Sequence, residues 1–316
     1  MTYLAAIEYT FSVTAPVFII VFLGLWLKHK KFIGDEFIQQ ASSLVFNLCL
    51  PILIFLSIQN YSVDWDRQFT FAIFCISAAV ICFVVFWAIS GLFVVQEDRG
   101  VAVQGAFRSN LGIIGLALCA KAFGGPGLAI GAVILAVVTP VFNVLSVYGL
   151  NQSLKGHQEI SIWKTMVDIA KNPLIIAIAL GFLFTGMELK LPIVVYDAGS
   201  YLAQMTLPLA LICIGGALSL SEMKRSSGLS AKVVFAKLVL VPVIVTISAY
   251  LLGFSGVELG CILLMFASPT ATASFIMVRK MGGNYALASN IIVISSLCSA
   301  LSISILLYLA KMLGWF

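Results

Sequence analysis

Apolar positions in this chain collect into long runs. Ten such runs lie at roughly 9–28, 37–59, 69–95, 101–123, 127–150, 172–189, 194–220, 230–253, 257–279 and 285–313. A helix needs about 20 apolar residues to cross the hydrocarbon core of a bilayer. The pattern therefore predicts an all-α polytopic membrane protein with ten transmembrane helices, numbered here as segments 1 to 10. Polar positions confine themselves to short connections: Lys28 to Glu36, Gln59 to Arg67, Gln96 to Gly100 and Gly124 to Pro126. The longest connection runs from Asn151 to Asn172. In it Ile160, Trp163, Val167 and Ile169 alternate with Lys164, Asp168 and Lys171. That spacing reads as an interfacial amphipathic helix or, more plainly, as a solvated loop.

The pattern also repeats. Pro16 and Gly24 in segment 1 recur as Pro173 and Gly181 in segment 6, both 157 residues on. The run from Asn47 to Pro51 recurs at the same shift as Gln204 to Pro208. Phe107-Arg108-Ser109-Asn110 aligns with Phe266-Ala267-Ser268-Pro269 at a shift of 159, which also carries Lys121 onto Lys280. A duplicated unit with an odd number of spans must lie inverted relative to its copy, the architecture of many secondary transporters. The expected division is a first five-helix repeat over 1–150, a linker over 151–171 and a second, inverted repeat over 172–316.

Composition agrees with a membrane setting. The chain has 316 residues, 61% hydrophobic and 10% charged, whereas soluble domains carry about 25% charged residues. Met1 to Glu8 holds no Lys or Arg, so segment 1 is expected to stay as a span rather than serve as a cleaved signal. With the N-terminus outside, inner connections hold Lys28, Lys30, Lys31, Arg99, Lys155, Lys164, Lys171, Lys224, Arg225, Lys232, Arg279 and Lys280. Outer ones hold Arg67, Lys121, Lys190 and Lys311, while Arg108 and Lys237 fall within spans. Twelve against four places both termini outside. The net charge of +5 is explained by this bias, so no nucleic-acid partner is expected. The seven cysteines lie in apolar segments without a CxxC pair, and the two histidines, His29 and His157, are far apart. Neither a disulfide nor a metal centre is expected, and nothing calls for a cofactor.

Segments 4 and 9 interrupt the apolar pattern. Segment 4 carries Arg108-Ser109-Asn110-Leu111-Gly112, and segment 9 carries Ser268-Pro269-Thr270. Pro269 removes a backbone donor and disturbs the preceding turn, and Asn110 and Gly112 favour a break. Irregular backbone at membrane depth survives only inside protein or beside a water-filled cavity. Two breaks at equivalent places predict helices that cross at a midplane site, where helix N-termini suit an anion. Packing kinks lined with small residues would give the same sequence.

Other polar positions line up with these breaks. Thr139, Asn143 and Ser146, and likewise Ser295, Ser299 and Ser302, share helical faces, which suits either a cavity wall or helix-to-helix bonding. Asn47 and Gln204 each precede a proline, Pro51 and Pro208, by four residues. They could contact a ligand or satisfy backbone at a kink. Arg108 is a membrane-embedded charge and so a functional candidate, although it lies close enough to the inner end to snorkel. Lys237 is read as snorkelling. No Asp or Glu sits in the middle of a span, which favours uniport of an anion over sodium or proton coupling.

Together these residues resemble the auxin efflux carrier family, which includes bacterial malonate and malate permeases and the plant PIN-formed auxin carriers. The resemblance spans nearly the whole chain. It rests on Phe46-Asn47-Leu48-Cys49-Leu50-Pro51, Phe107-Arg108-Ser109-Asn110 with Gly115, Pro140-Val141-Phe142-Asn143, Asn172-Pro173, Leu207-Pro208 through Gly215, and Ser268-Pro269. It implies a bile-acid/sodium-symporter-like fold of elevator type, with a scaffold of segments 1, 2, 6 and 7 that dimerises. A mobile transport domain would hold segments 3–5 and 8–10. It also implies a plasma (inner) membrane location and a small organic anion as substrate. The candidate substrate-binding set is Asn47, Arg108, Ser109, Asn110, Leu111, Asn143, Gln204, Ser268, Pro269 and Thr270. Asn110, Gly112 and Pro269 form the break, with Pro51 and Pro208 as kinks. Where the family often has Gly-hydrophobic-Pro, this chain has Gly115-Leu116-Ala117, so a milder break is expected in segment 4. The main alternative is a sodium-coupled bile-acid-type symporter. An intramembrane enzyme would need paired carboxylates, His ligands or a Ser–base pair, and a channel would need a filter or charged rings. None is seen, and no catalytic residue is expected.

Overall fold

In hydrocarbon every backbone N–H and C=O must be bonded within the protein, which leaves an apolar chain little choice but the helix. The computed structural model describes residues 3–59, 65–154, 167, 171–218 and 228–316, and over these it is all-helical apart from one isolated bridge. The helices are α1 (Tyr3–His29), α2 (Asp35–Leu44), α3 (Leu50–Gln59), α4 (Trp65–Ser90), α5 (Gln96–Phe107) and α6 (Leu116–Ser153). After them come α7 (Pro173–Gly186), α8 (Ile193–Ala217), α9 (Gly228–Phe235), α10 (Val241–Leu251), α11 (Gly256–Ala267), α12 (Ala273–Lys280) and α13 (Tyr285–Met312).

Each of the ten apolar segments is helical over most of its described length. Seven stretches are long and apolar enough to cross a membrane: Tyr3–His29, Asp35–Gln59, Arg67–Ser90, Leu111–Ser153, Ile193–Ala217, Gly228–Leu251 and Tyr285–Met312. Two further apolar helices, Pro173–Gly186 and Gly256–Ala267, are shorter. Large side chains such as Phe11, Ile19, Ile81, Leu183, Ile244 and Leu301 stand exposed on the outside. An exterior this apolar is that of a polytopic membrane protein. The amphipathic reading of Ile160, Trp163, Lys164, Asp168 and Ile169 lies outside the described residues.

Regular helix fails where the sequence removes its donors or needs a turn. Wide π-turns at Val45–Cys49 and Ala236–Leu240 precede Pro51 and Pro242, which cannot donate to the ladder. Around Pro208, by contrast, α8 runs on as one helix from Ile193 to Ala217. Gly124, with φ 61°, bends α6 sharply into two helices. Only glycine takes that conformation without strain.

The helices gather in two packed groups. In the first, α1 lies along α8, α2 packs on α8, and α3 packs on α7 and α8. Gly24 and Gly215 bring α1 and α8 backbone to backbone. A methyl group at Gly24 would strike the carbonyl of Ile212, and one at Gly215 that of Val21. Small residues at such a seam permit the close approach that drives association in lipid. In the second group, α4, α5 and α6 pack together, and α11 joins α6, α10 and α13. The α1–α13 and α3–α6 contacts tie the groups together.

Candidate functional site

The site is built where α5 and α11 stop. At Arg108 the backbone turns extended (φ −83°, ψ 103°), and regular turns resume only in the π-turn Leu111–Gly115. On the other side α11 ends at Ala267, Ser268 is extended (ψ 143°), and α12 begins at Ala273. The two irregular stretches cross and bond to each other. Ser109 and Thr270 pair as an antiparallel bridge, the Asn110 N–H donates to Pro269 O at 2.8 Å, and the Ala271 N–H donates to Arg108 O at 3.1 Å. Groups freed by one break thus satisfy groups freed by the other, which buried backbone requires.

Side chains complete the crossing. Thr270 Oγ1 donates to Gly105 O at 2.7 Å, and its N–H donates to Ser295 Oγ at 3.2 Å. Ser268 Oγ donates to Leu264 O at 2.8 Å, and the Gly115 N–H donates to Asn110 O at 3.1 Å. The milder break expected from Gly115-Leu116-Ala117 is realised as that π-turn, with Leu116 and Ala117 already helical.

Two cations enter this arrangement. Arg108 is 6% exposed. Its guanidinium donates to Asn143 Oδ1 at 2.6 Å, Ser146 Oγ at 3.2 Å and Met277 Sδ at 2.8 Å. Lys237, from the π-turn before α10, is fully buried. Its Nζ donates to Ser109 Oγ at 2.6 Å and Phe266 O at 2.8 Å. Every acceptor on both cations is neutral. The ion pairs among the described residues, Lys28–Asp35 and Arg67–Glu258, lie elsewhere. A guanidinium has five N–H donors, so Arg108 keeps capacity for a further acceptor. Burying a charge without a partner of opposite sign is costly, and an anion beside Arg108 would relieve that cost.

The crossing therefore gathers Arg108, Ser109, Asn110, Leu111, Asn143, Ser268, Pro269 and Thr270, all of them buried except Asn143, which is half-buried. Gly112 follows at once in the π-turn, where it faces Leu135 and Leu50. The Asn110 carboxamide makes no hydrogen bond among the described residues, so it is free for a ligand. Asn47 and Gln204 are not drawn in. Asn47 is exposed and donates to Ser43 O and Oγ, and Gln204 is exposed and donates to Ser200 Oγ.

Lys237 corrects the snorkelling expected from its depth. It turns inward from within the π-turn Ala236–Leu240 and bonds across to the break. The rule that singled out Arg108, an intramembrane charge as a functional candidate, applies equally to Lys237. No motif or charge in the sequence marks Gln104 and Met277, which join the site as well. Gln104 Nε2 lies 3.6 Å from Met277 Sδ, and both flank Arg108. Of the serine stripe, Ser295 holds the crossing, whereas Ser299 and Ser302 donate to their own helix backbone.

A cavity of about 590 Å³ opens between the two helix groups. Pro16 and Val17 of α1, Leu53 of α3, Tyr196 and Gln204 of α8 and the first half of α6 line it. Lys121 is the charged residue in its wall.

A family model described as "Membrane transport protein" matches residues 9–307. A protein of Rhizobium meliloti named "Putative malonate transporter" is 26% identical over 309 residues, covering 94% of each chain. An "Uncharacterized transporter" of Methanothermobacter thermautotrophicus is 24% identical over 290 residues, covering 91% of this chain and 94% of its own.

Proposed function

Because this chain belongs to the membrane transport protein family, the auxin efflux carrier family that its motifs resemble, we propose that it carries small organic anions across the membrane by an elevator mechanism. The observation that carries the substrate class is Arg108: a buried guanidinium at the crossing of two broken helices, bonded only to neutral groups. Anion, Arg108, Asn110 and Asn143 would make the contact, with Ser109, Leu111, Ser268, Pro269 and Thr270 shaping the floor. A carboxylate suits a planar donor fork. Monocarboxylates, dicarboxylates and auxin-like acids all fit that chemistry, and the name of the Rhizobium meliloti relative favours malonate as the first to try.

The proposed membrane arrangement has ten spans in two inverted five-helix repeats, 1–150 and 172–316, joined by an inner linker at 151–171. Both termini lie outside the plasma membrane. The packed group α1, α2–α3, α7 and α8 serves as a scaffold through which two copies associate. The group α4–α6 and α9–α13 is the moving body, with the crossing at the midplane. Two features support this division: the glycine seam that locks α1 to α8, and the cavity between the groups. Sliding one group past the other would carry the crossing from one face of the bilayer to the other.

Transport rather than catalysis follows from the family. The test is reconstitution in liposomes on a capacitive sensor, with malonate, malate, lactate and indole acetate applied in sodium and in choline. A current for one anion, reduced about 10-fold or more in Asn110→Ala, supports the reading. Equal currents in Asn110→Ala would remove the crossing as the site.

A further inference from the structure

The second buried cation has no part in the anion contact just proposed, and its surroundings suggest another role. Lys237 Nζ sits between a side-chain hydroxyl, Ser109 Oγ at 2.6 Å, and a main-chain carbonyl, Phe266 O at 2.8 Å. Phe266 lies one residue before the end of α11, and Thr270, whose N–H the next turn would send back to its carbonyl, donates to Ser295 Oγ instead. Its carbonyl is thus part of the electronegative end of a half-helix. Carbonyls at such ends, together with nearby hydroxyls, are what membrane transporters use to hold a coupling sodium ion or proton. Here the place is taken by the protein's own ammonium group, which is fully buried.

We propose that the crossing contains a monovalent-cation site whose permanent occupant is the Lys237 side chain. The ammonium links the two breaks, donating to both, since Ser109 belongs to the first break and Phe266 precedes the second. Its tether keeps the nitrogen in place through the cycle, so no cation need bind from solution for the crossing to hold its shape. The consequence for coupling rests on the transport reading; the site itself does not.

Removing the side chain should expose the vacancy. Lys237→Ala deletes three carbons and the nitrogen, the atoms of n-propylammonium. Thermal unfolding of the purified variant is compared in chloride salts of n-propylammonium, sodium and choline at equal ionic strength. Propylammonium and sodium are expected to raise the melting temperature by roughly 2–4 °C over choline at concentrations well above their dissociation constants. Neither should do so in the wild type, nor in the double variant Lys237→Ala/Ser109→Ala, which lacks the hydroxyl ligand. Equal melting of Lys237→Ala in all three salts would overturn the proposal, as would equal shifts in the wild type. If Lys237→Ala does not fold, wild-type transport decides. A current unchanged when choline replaces sodium supports a resident cation, and a sodium requirement refutes it. Failure of the wild type to move any anion would sink the transport reading while leaving the melting result standing.

Discussion

The two helix breaks occupy matching places in the two halves of the sequence, yet they are furnished differently. The first break, Arg108 to Asn110, brings a guanidinium and an uncommitted carboxamide. In the second, Ser268 to Thr270, each hydroxyl is spent on backbone: Ser268 on Leu264 O and Thr270 on Gly105 O. The backbone pairing between them is reciprocal, with Asn110 N–H to Pro269 O and Ala271 N–H to Arg108 O. The side chains are not. The backbone pairing is thus shared between the breaks, while the charge at the crossing comes from the first of them. One break holds the side chains proposed to contact the anion, and the hydroxyls of the other brace the backbone around them.

That asymmetry can be broken most directly at Arg108. Arg108→Ala is expected to lower kcat/KM for the transported anion by about 100-fold or more, because it removes a buried charge contact worth several kcal/mol. Arg108→Lys should restore only part of it, since an ammonium cannot reproduce the bidentate fork. Initial rates in proteoliposomes measure both. A smaller loss is expected for Asn110→Ala, on the order of 10-fold or more for loss of a hydrogen bond to a charged group, with unchanged insertion by gel filtration.

Thr270→Val should separate bracing from binding. It leaves Gly105 O and the shape of the crossing but deletes one buried hydrogen bond, which costs about 1–3 kcal/mol of stability. Melting temperature should fall while the apparent KM stays within about two-fold, the scatter expected for an untouched contact. A raised KM with normal melting would place Thr270 among the ligand contacts instead. The smallest effect is expected at Lys121. Lys121→Gln in the cavity wall should raise apparent KM a few-fold at low salt and hardly at all at high salt, since steering by an exposed charge is screened.

Much of this was legible in the residues. The runs of apolar residues mark the helices, and Pro269, Asn110 and Arg108 mark the breaks, because helix breakers and charges are rare and expensive at that depth. Two things were not legible. Depth along a straight helix makes Lys237 a snorkelling residue, whereas it points inward from within the π-turn Ala236–Leu240. A five-residue turn of this kind leaves no periodicity to read. The partners of Arg108 were likewise split between α6 and α12, with Met277 169 residues away, so only folding could bring them together. Asn47 and Gln204 show the converse. Each matched a repeat pattern, yet each bonds to a serine four residues earlier in its own chain, Ser43 and Ser200.

The central claim is that the first break supplies the anion contact. The most direct measurement is the capacitive current of wild type, Arg108→Ala and Thr270→Val proteoliposomes, matched for protein content, on a malonate concentration jump in sodium-free buffer. The account predicts a current in the wild type, a current of similar apparent affinity in Thr270→Val, and none in Arg108→Ala. A current in Arg108→Ala equal to that of the wild type would contradict it.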